Sequence, residues 1–318
     1  MDLKQLEVFA AVVSQGSFSK AAEQLFLTQP TVSAHIKKLE AELGQSLIQR
    51  NTKSLRVTAA GQRFYPYAQA MLNLRRQALA EMQPEGVALS LAIGASSIPS
   101  AYVLPELMAG YAQEHPGLSF NIVRQDSLGV LAGLLQGETD LGLVGTYIPD
   151  ERCLYQPFLR DELVLATPNN AHFRKLRQQG ADIYRLLQEP LIMRESSSGT
   201  RREAEHILEA LGLAWSSLQV VATLNDPAAV KNSIASGMGA AILSRRAASG
   251  LAASGQALLF PFGGNLGQRW LYIVTRKLLP PNRTAQDFIA FIRRQTAAAP
   301  GQSWPSPAAP AQNDKPGP

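Results

Sequence analysis

Apolar residues repeat with helical spacing in the stretch from Thr28 to Gly44. They step by four, three and four along one face of a helix and are Val32, Ile36, Leu39 and Leu43. Thr28 is a suitable N-cap and Gly44 a suitable end of that helix. The opposite face offers hydrogen-bonding and cationic side chains, which are Gln29, Thr31, Ser33, His35, Lys37 and Lys38. Such a helix suits the major groove of DNA, and the same pattern also fits an ordinary surface helix.

Two further helices are predicted ahead of this stretch, over residues 2–15 and from Ser17 to Phe26. Because only a short turn separates the second helix from the one after Thr28, the pair predicts a helix-turn-helix. The following segment, SLIQRNTKSLRVT, alternates in polarity and contains Arg50, Lys53 and Arg56. This alternation predicts a short two-stranded wing whose cations meet DNA phosphates.

A long helix is predicted from Thr58 to Met82. Its apolar residues step by three and four, as in a coiled coil, and are Phe64, Tyr67, Met71, Leu74 and Ala78. A lone helix outside a domain must bury such a seam against a partner, so the pattern predicts a dimerisation arm. Pro66 falls inside this helix and is expected to remove one backbone hydrogen bond and leave a kink. Residues 83–86 form a predicted linker.

From Val87 onward, predicted strands alternate with predicted helices. One strand–helix–strand–helix–strand unit is followed by a second, which starts near Asp161 with the strand ELVLAT. This order predicts an α/β fold with parallel sheets. The strand RWLYIVTR and an amphipathic helix over residues 285–295 complete the domain, and the Ala/Pro/Gly/Ser-rich tail 296–318 is predicted to be disordered.

Charge and cysteine content narrow the class of protein. The net charge is +5, and residues 1–83 hold ten Lys/Arg against six Asp/Glu, which is 10 − 6 = +4. That mild excess is compatible with a nucleic-acid binder without deciding the matter. The single cysteine, Cys153, excludes a disulfide framework and a cysteine-based zinc site, and a buried bystander is favoured over a redox sensor. A signal peptide and a membrane-length apolar run are not evident, so a cytoplasmic protein is expected.

Residues 1–295 resemble the LysR-type transcriptional regulators. The resemblance rests on the ungapped stretch LEVFAAVVSQGSFSKAAEQLFLTQPTVSAHIKKLEAELGQSLIQR, on LRVTAAG and FYPYAQAML, and on GETDLGLVG, SGTR and ASGMGAAIL farther along. The segments IGASSIPSAYVLP and ESSSGTR are similar to the branch of the family associated with sulfur and selenium metabolism.

The resemblance implies three parts. They are an N-terminal all-α winged helix-turn-helix over residues 1–58, a linker helix for dimerisation over 59–83, and an α/β effector-binding domain over 87–295. That last domain would have two lobes, like a periplasmic binding protein. Lobe I would span about 87–160 and 266–295, and lobe II about 161–265. The unusual Pro66 puts the geometry of the dimerisation arm in question.

The resemblance also assigns DNA contacts. Base edges would be approached by Gln29, Pro30 and Ser33, and phosphates would be held by Lys37, Arg50 and Lys53. Thr31 and His35 complete the predicted DNA-binding set. The family usually has a basic or long polar residue where this chain has Ala34, so one contact is missing, and His35 is expected to replace it in part.

Two hydroxyl clusters lie where predicted strands end and helices begin. The first is Ser96, Ser97 and Ser100, and the second is Ser196, Ser197, Ser198 and Thr200. Hydroxyls beside the free N–H groups of a helix N-terminus bind anions, so two facing clusters would hold a small anion between the lobes. Thr146 is a third candidate. Ordinary loop and N-cap chemistry is the alternative, because Ser and Thr are favoured there in any case.

The sequence therefore predicts a sequence-specific DNA-binding transcriptional regulator rather than an enzyme. Its expected partners are a double-stranded DNA operator, a second copy of itself in dimers that pair further, and a small-molecule effector. An oxyanion or a sulfur-related metabolite is the candidate effector, which would change dimer association and DNA bending, and no metal, cofactor or membrane is expected. A solute-binding protein or a hydrolase with an appended DNA-binding domain is less favoured, because no signal peptide and no G-x-S-x-G motif is present.

Overall fold

The computed structural model describes residues 1–51, 54–82 and 90–296. Contacts divide the chain into two compact units, one formed mainly by residues 1–87 and the other by most of residues 88–318. The predicted linker 83–86, Lys53 and the predicted tail after residue 296 lie outside the described residues, as does the side chain of Arg50.

The first unit is a winged helix-turn-helix followed by a long helix. Its elements are α1 (Leu3–Gln15), α2 (Phe18–Gln24), α3 (Gln29–Leu43), β1 (Ile48–Asn51), β2 (Ser54–Val57) and α4 (Ala59–Glu81). Strands β1 and β2 pair antiparallel, with Ile48 opposite Val57. The predicted helices and wing are thus confirmed in this unit.

Local signals in the sequence set the limits of α3. The Thr28 side chain accepts a hydrogen bond from the Thr31 backbone N–H at 3.4 Å, and Gly44 ends the helix in the left-handed region at φ 63°. Val32, Ile36 and Leu39 are buried in the core of the unit, whereas Leu43 is only partly buried.

The second helix is shorter than predicted. It ends at Gln24, and Phe26 lies in the left-handed region at φ 54° instead of continuing the helix. The chain turns at this point because Leu27 must return to the core, where its backbone N–H donates to the Ala22 carbonyl at 2.8 Å.

The predicted seam of α4 is divided between two roles. Phe64 and Met71 pack against the core of their own unit, and the Phe64 ring lies 5.6 Å from that of Phe9. Both residues are therefore partly covered within their own unit. Tyr67 and Leu74 remain 55% and 58% exposed, so part of the seam is uncovered. The helix continues through Pro66 without interruption.

The second unit is an α/β domain. Its first half contains β3 (Ser90–Ala95), α5 (Ser97–Tyr102), α6 (Leu104–Glu114), β4 (Ser119–Arg124), α7 (Ser127–Gln136), β5 (Leu141–Val144) and β6 (Cys153–Pro168). Then follow α8 (Ala171–Gln178), α9 (Ile183–Leu186), β7 (Leu191–Arg194), α10 (Gly199–Ala210) and β8 (Val220–Leu224). The last elements are α11 (Pro227–Ala235), β9 (Ala241–Ser244), α12 (Arg245–Ala253), β10 (Ala257–Pro261), β11 (Gln268–Arg276) and α13 (Arg283–Thr296).

Strand β6 serves two lobes. In lobe I, strand β3 pairs parallel with β4 and β5, and β11 pairs antiparallel with β5 and with the first part of β6. In lobe II, the last part of β6 pairs antiparallel with β9 and β10, while β7 and β8 form a separate parallel pair. The chain thus passes between the lobes along β6 and again before β11.

Three features of this domain differ from the prediction. The sheet is mixed rather than parallel, because β6 and β11 run antiparallel. Strand β6 starts at Cys153, well before the predicted strand at residue 162. The helices α5, α9 and α12 and the strand β10 were not predicted.

Each lobe has its own apolar core. In lobe I, Tyr111, Phe288 and Phe291 pack with ring centroids 5.0 to 6.3 Å apart. In lobe II, Phe173 and Ile207 belong to a buried cluster beneath α8 and α10. Within the described part of the chain, none of the helices is both long and apolar enough to span a bilayer.

Candidate DNA-reading surface and effector cleft

The outward face of α3 carries a mixed set of side chains. Gln29, Pro30, Ala34 and Lys37 are exposed, and Thr31, Ser33 and His35 are half-buried. The Thr31 hydroxyl lies 2.8 Å from the Thr28 hydroxyl, so it supports the start of the helix. The predicted reading residues therefore differ in their access to a groove, with Gln29, Pro30 and Lys37 the most accessible.

One of the two ring nitrogens of His35 is inaccessible to DNA. Its Nδ1 is buried and has no hydrogen-bond partner among the described residues. One nitrogen of the imidazole is thus turned toward the protein, which leaves Nε2 as the atom available to DNA. This orientation limits how far His35 could replace the contact that Ala34 lacks.

Glu40 connects α3 to the wing, a role that the sequence did not reveal. Its Oε1 accepts hydrogen bonds from the backbone N–H groups of Leu47 at 2.7 Å and Ile48 at 3.0 Å. The start of β1 is therefore fixed to the helix by a charged acceptor, which makes the stronger kind of hydrogen bond. Arg56 on β2 is exposed.

A cavity, here called the cleft cavity, lies between the two lobes of the second unit. Its lining is Ser96, Ser97, Ile98, Asp126, Ser127, Gly145, Arg194, Ser198, Gly199, Thr200 and Arg269. About 10 Å³ is available to the centre of a water molecule, which is room for about one water. Four of the predicted effector residues meet there, namely Ser96, Ser97, Ser198 and Thr200.

The other predicted effector residues do not line the cleft cavity. Ser100, Ser196 and Ser197 are absent from its lining, and Ser196 is exposed. Thr146 is only 2% exposed, and its hydroxyl donates to the Glu203 carboxylate of lobe II at 2.5 Å. Thr146 therefore connects the two lobes and does not present its hydroxyl to the cavity.

Arg269 was not predicted as a site residue, although it contributes a buried cation to the cavity. Its Nε donates to the Asp161 Oδ2 at 2.8 Å, and the other Asp161 oxygen accepts from the Ser244 hydroxyl at 2.7 Å. The guanidinium Nη1 is buried and has no hydrogen-bond partner among the described residues. A charged residue inside the apolar strand RWLYIVTR was the available signal, because a buried charge needs a partner.

Arg194 supplies a second buried cation, at the end of β7. Its guanidinium binds both Glu195 oxygens at 2.7 Å and also donates to the Asn225 carbonyl at 3.3 Å. Asp126 adds a carboxylate to the lining, and one of its oxygens accepts from the Gly129 N–H at 2.7 Å. The two arginines thus face three carboxylates, Asp126, Asp161 and Glu195, so the cavity offers hydrogen-bond donors without a positive net charge.

Helix ends contribute unequally to the site. Helix α10 has twelve residues and begins at Gly199, and both Gly199 and Thr200 line the cavity, so the N-terminal end of a full helix lies at the cavity. Helix α5 has only six residues, which makes the first hydroxyl cluster a weaker anion site than the sequence suggested. Ser127 adds a buried hydroxyl for which the described residues provide no partner.

The winged helix-turn-helix and the two-lobed domain define the architecture of a ligand-responsive transcriptional regulator. Residues 3–62 match the bacterial regulatory helix-turn-helix protein of the lysR family, and residues 84–297 match the LysR substrate binding domain. The chain belongs to the LysR family. It is a DNA-binding transcriptional regulator with an effector-binding domain.

Named relatives agree with this membership. A probable RuBisCO transcriptional regulator of Cyanidioschyzon merolae is 33% identical over 248 residues, which is 76% of this chain and 81% of the relative. CysL of Bacillus subtilis, an HTH-type transcriptional regulator, is 33% identical over 242 residues, 76% of this chain and 79% of the relative.

Solved structures share the fold. ArgP of Mycobacterium tuberculosis superposes with a TM-score of 0.71 at 20% identity, covering 93% of this chain and 98% of that one. A full-length OxyR variant of Pseudomonas aeruginosa gives a TM-score of 0.67 at 24% identity, covering 92% and 95%.

Proposed function

We propose that this regulator detects a small anion in the cleft cavity and that binding alters how its dimers hold DNA. The observation that carries the proposal is a pair of buried donors, the Arg269 Nη1 and the Ser127 hydroxyl, which line the cavity and have no partner within the described residues. Buried polar groups are almost always hydrogen-bonded, so a ligand or an ordered water is expected to satisfy them.

The effector is proposed to be a small oxyanion or a compound that presents one. The Ser198 and Thr200 hydroxyls and the first N–H groups of α10 supply further donors on the lobe II side. Because the carboxylates of Asp126, Asp161 and Glu195 offset the charge of the arginines, affinity would depend on how many of these donors the ligand satisfies.

A change in the separation of the lobes is the proposed signal. The cavity has room for about one water, so a larger effector would bind only if the lobes separate. An effector shifts the equilibrium between two lobe arrangements only by the difference between its affinities for them. Thr146 and Glu203 join the lobes directly, so this contact is expected to respond to the shift.

On DNA, α3 is proposed to enter the major groove. Gln29, Pro30 and Ser33 would read bases and Lys37 would meet a phosphate, with Arg50 and Lys53 of the wing on adjacent phosphates. The exposed Tyr67 and Leu74 of α4 support self-association. The two helix-turn-helix units of such a dimer would bind DNA half-sites about one helical turn apart. Pairing of dimers and a change in DNA bending follow as parts of the same proposal.

Two kinds of regulated pathway are proposed, after the two named relatives. The relative CysL and the probable RuBisCO regulator are equally identical to this chain, at 33% each. A ligand panel should therefore contain sulfate, thiosulfate and sulfur-containing amino acids on one side, and inorganic phosphate and small phosphate esters on the other.

A thermal-shift screen followed by calorimetry tests the effector site. A ligand selective for the native state raises the melting temperature, and Ser127→Ala should reduce that rise without lowering the melting temperature of the unliganded protein. Ser100→Ala, outside the cavity, is the matched control. A ligand whose affinity is the same for the Ser127→Ala variant and the unmodified protein would place the site elsewhere.

A further inference from the structure

Phe26 has an unusual backbone. It lies at φ 54°, and among the described residues every other position with a positive φ is a glycine. The left-handed region is sterically unfavourable for a bulky side chain, whereas glycine and asparagine adopt it readily. The turn between α2 and α3 would therefore form more easily with a smaller residue at this position.

The side chain of Phe26 is also fully open to solvent. It is 96% exposed, although Phe9, Phe18 and Phe64 of the same unit are buried in or packed against its core. The ring therefore contributes nothing to holding the unit together. Two unfavourable features coincide at one residue, and packing within the unit compensates for neither.

The position of Phe26 relative to α3 indicates what the ring contacts. It precedes Gln29 by three residues, and three residues of extended chain span at most about 10 Å. The major groove is about 12 Å wide, so with Gln29 at a base edge, Phe26 lies at the wall of the groove. An apolar ring at that wall meets deoxyribose carbons, because phosphate oxygens offer it no apolar surface.

We propose that Phe26 packs on the sugar groups at the edge of the major groove and adds a sequence-independent apolar contact to DNA binding. The proposal rests on the docking of α3 proposed above. Strained conformations concentrate at functional sites, and the unfavourable backbone of Phe26 fits that rule. This contact neutralises no phosphate, which separates it from the contacts of Lys37 and the wing.

The experiment uses the full chain with Phe26→Asn, which removes the ring and suits the left-handed region. Binding to a random-sequence duplex is measured by fluorescence anisotropy at several salt concentrations, and stability by thermal unfolding. We expect about tenfold weaker binding from the lost apolar burial, with an unchanged salt slope. The melting temperature should rise by about 2–4 °C, because the strain is relieved.

Each alternative outcome overturns the proposal. Unchanged affinity would show that the ring faces solvent or another partner, and a lower melting temperature would show a structural role. A loss confined to a duplex selected from a random library by the unmodified protein would indicate base reading and not a sugar contact. Lys37→Ala tests the docking of α3 separately. If this variant has the same DNA affinity and the same salt slope as the unmodified protein, the proposal that α3 enters the major groove is refuted, whatever the result for Phe26.

Discussion

Gly199 and Ser127 lie so close across the cleft that a Cβ on Gly199 would sit 2.7 Å from the Ser127 hydroxyl oxygen. The same Cβ would lie 3.0 Å from the Thr146 Cγ2. Lobe II contributes Gly199 and lobe I contributes the other two. Rotation of the Ser127 hydroxyl could relieve the first contact, but Thr146 is held by its hydrogen bond to Glu203, so a side chain at position 199 works against the close approach of the lobes. Gly199→Ala is therefore expected to favour an open cleft.

The cost of that overpacking is expected to be about 1–3 kcal/mol, seen as a lower melting temperature of the effector domain. Small-angle scattering should show a larger radius of gyration than for the unmodified protein. The matched control is Gly250→Ala, because a Cβ there would contact nothing within 4 Å. Equal behaviour of the two variants would contradict the close approach.

The ion pair between Asp161 and Arg269 is expected to be essential for the stability of the second unit. The Asp161 side chain is fully buried, and that of Arg269 is 3% exposed. Asp161→Ala would leave a buried cation without its partner, which typically costs about 3–5 kcal/mol. Urea unfolding measures the loss.

Asp150→Ala is the control for this pair. Asp150 binds Arg152, whose side chain is 53% exposed, so its removal should cost about 1 kcal/mol or less. If Asp161→Ala lowered the unfolding free energy no more than the control does, the Arg269 guanidinium would have to be hydrated, which would contradict its burial.

Glu40 is expected to control the wing. Replacing it with Ala removes the acceptor of two backbone N–H groups, those of Leu47 and Ile48, and should destabilise the first unit by about 1–3 kcal/mol. Hydrogen exchange should accelerate at these two amides in particular. Glu42→Ala, two residues along the same helix and without a hydrogen bond to the wing among the described residues, is the comparison. Unchanged protection at Leu47 and Ile48 would remove Glu40 from this role.

Local patterns in the sequence predicted the first unit closely. Thr28, Gly44 and the spacing of Val32, Ile36 and Leu39 are sufficient to define α3, because caps and apolar periodicity act within a few residues. The end of α2 was missed, since only the packing of Leu27 forces the chain to turn at Phe26. The division of the α4 seam was missed for a similar reason: a periodic stripe does not show which partner covers Phe64.

In the second unit, the sequence predicted residues of the cleft cavity that carry hydroxyl groups, but it did not predict the charged residues of that cavity. Ser198 and Thr200 follow from strand-to-helix order, since such residues meet at the ends of strands. Arg194 and Arg269 are brought in by pairing with Glu195 and Asp161, and Asp161 lies 108 residues before Arg269. The start of β6 was hidden by Pro157, which pairs with Tyr272 beside a bulge where β6 has one residue more than β11, Phe158.

Cys153 is expected to react slowly in the native protein. Burial, reinforced by Asp150, raises the pKa of its thiol from 9.0 to about 11. At pH 8 only about one thiol in a thousand would be ionised, so alkylation by iodoacetamide should be slow until guanidinium unfolds the chain. Fast alkylation of the folded protein would contradict the burial.

The same pKa shift predicts a pH dependence of stability. Because the native pKa is raised, the contribution of Cys153 is fully present below pH 9 and is lost as the pH rises through about 11. Cys153→Ala should lack this alkaline loss. The difference in unfolding free energy between the two proteins should therefore shrink over that interval, and a constant difference would refute the shift.

Ala34 is the position on α3 where a single substitution should strengthen DNA binding. It is exposed one turn after Pro30, between the accessible Pro30 and Lys37, and it presents only a methyl group. Ala34→Arg would add one phosphate or base contact in each reading head, so the salt slope should steepen by about one per head. Affinity at moderate salt should rise by about tenfold, since a good contact is worth about 1–3 kcal/mol. Ala253→Arg places the same charge on the exposed end of α12 and controls for net charge alone. If both variants bound DNA equally well, the gain would come from long-range attraction, and α3 would not be the surface that enters the groove.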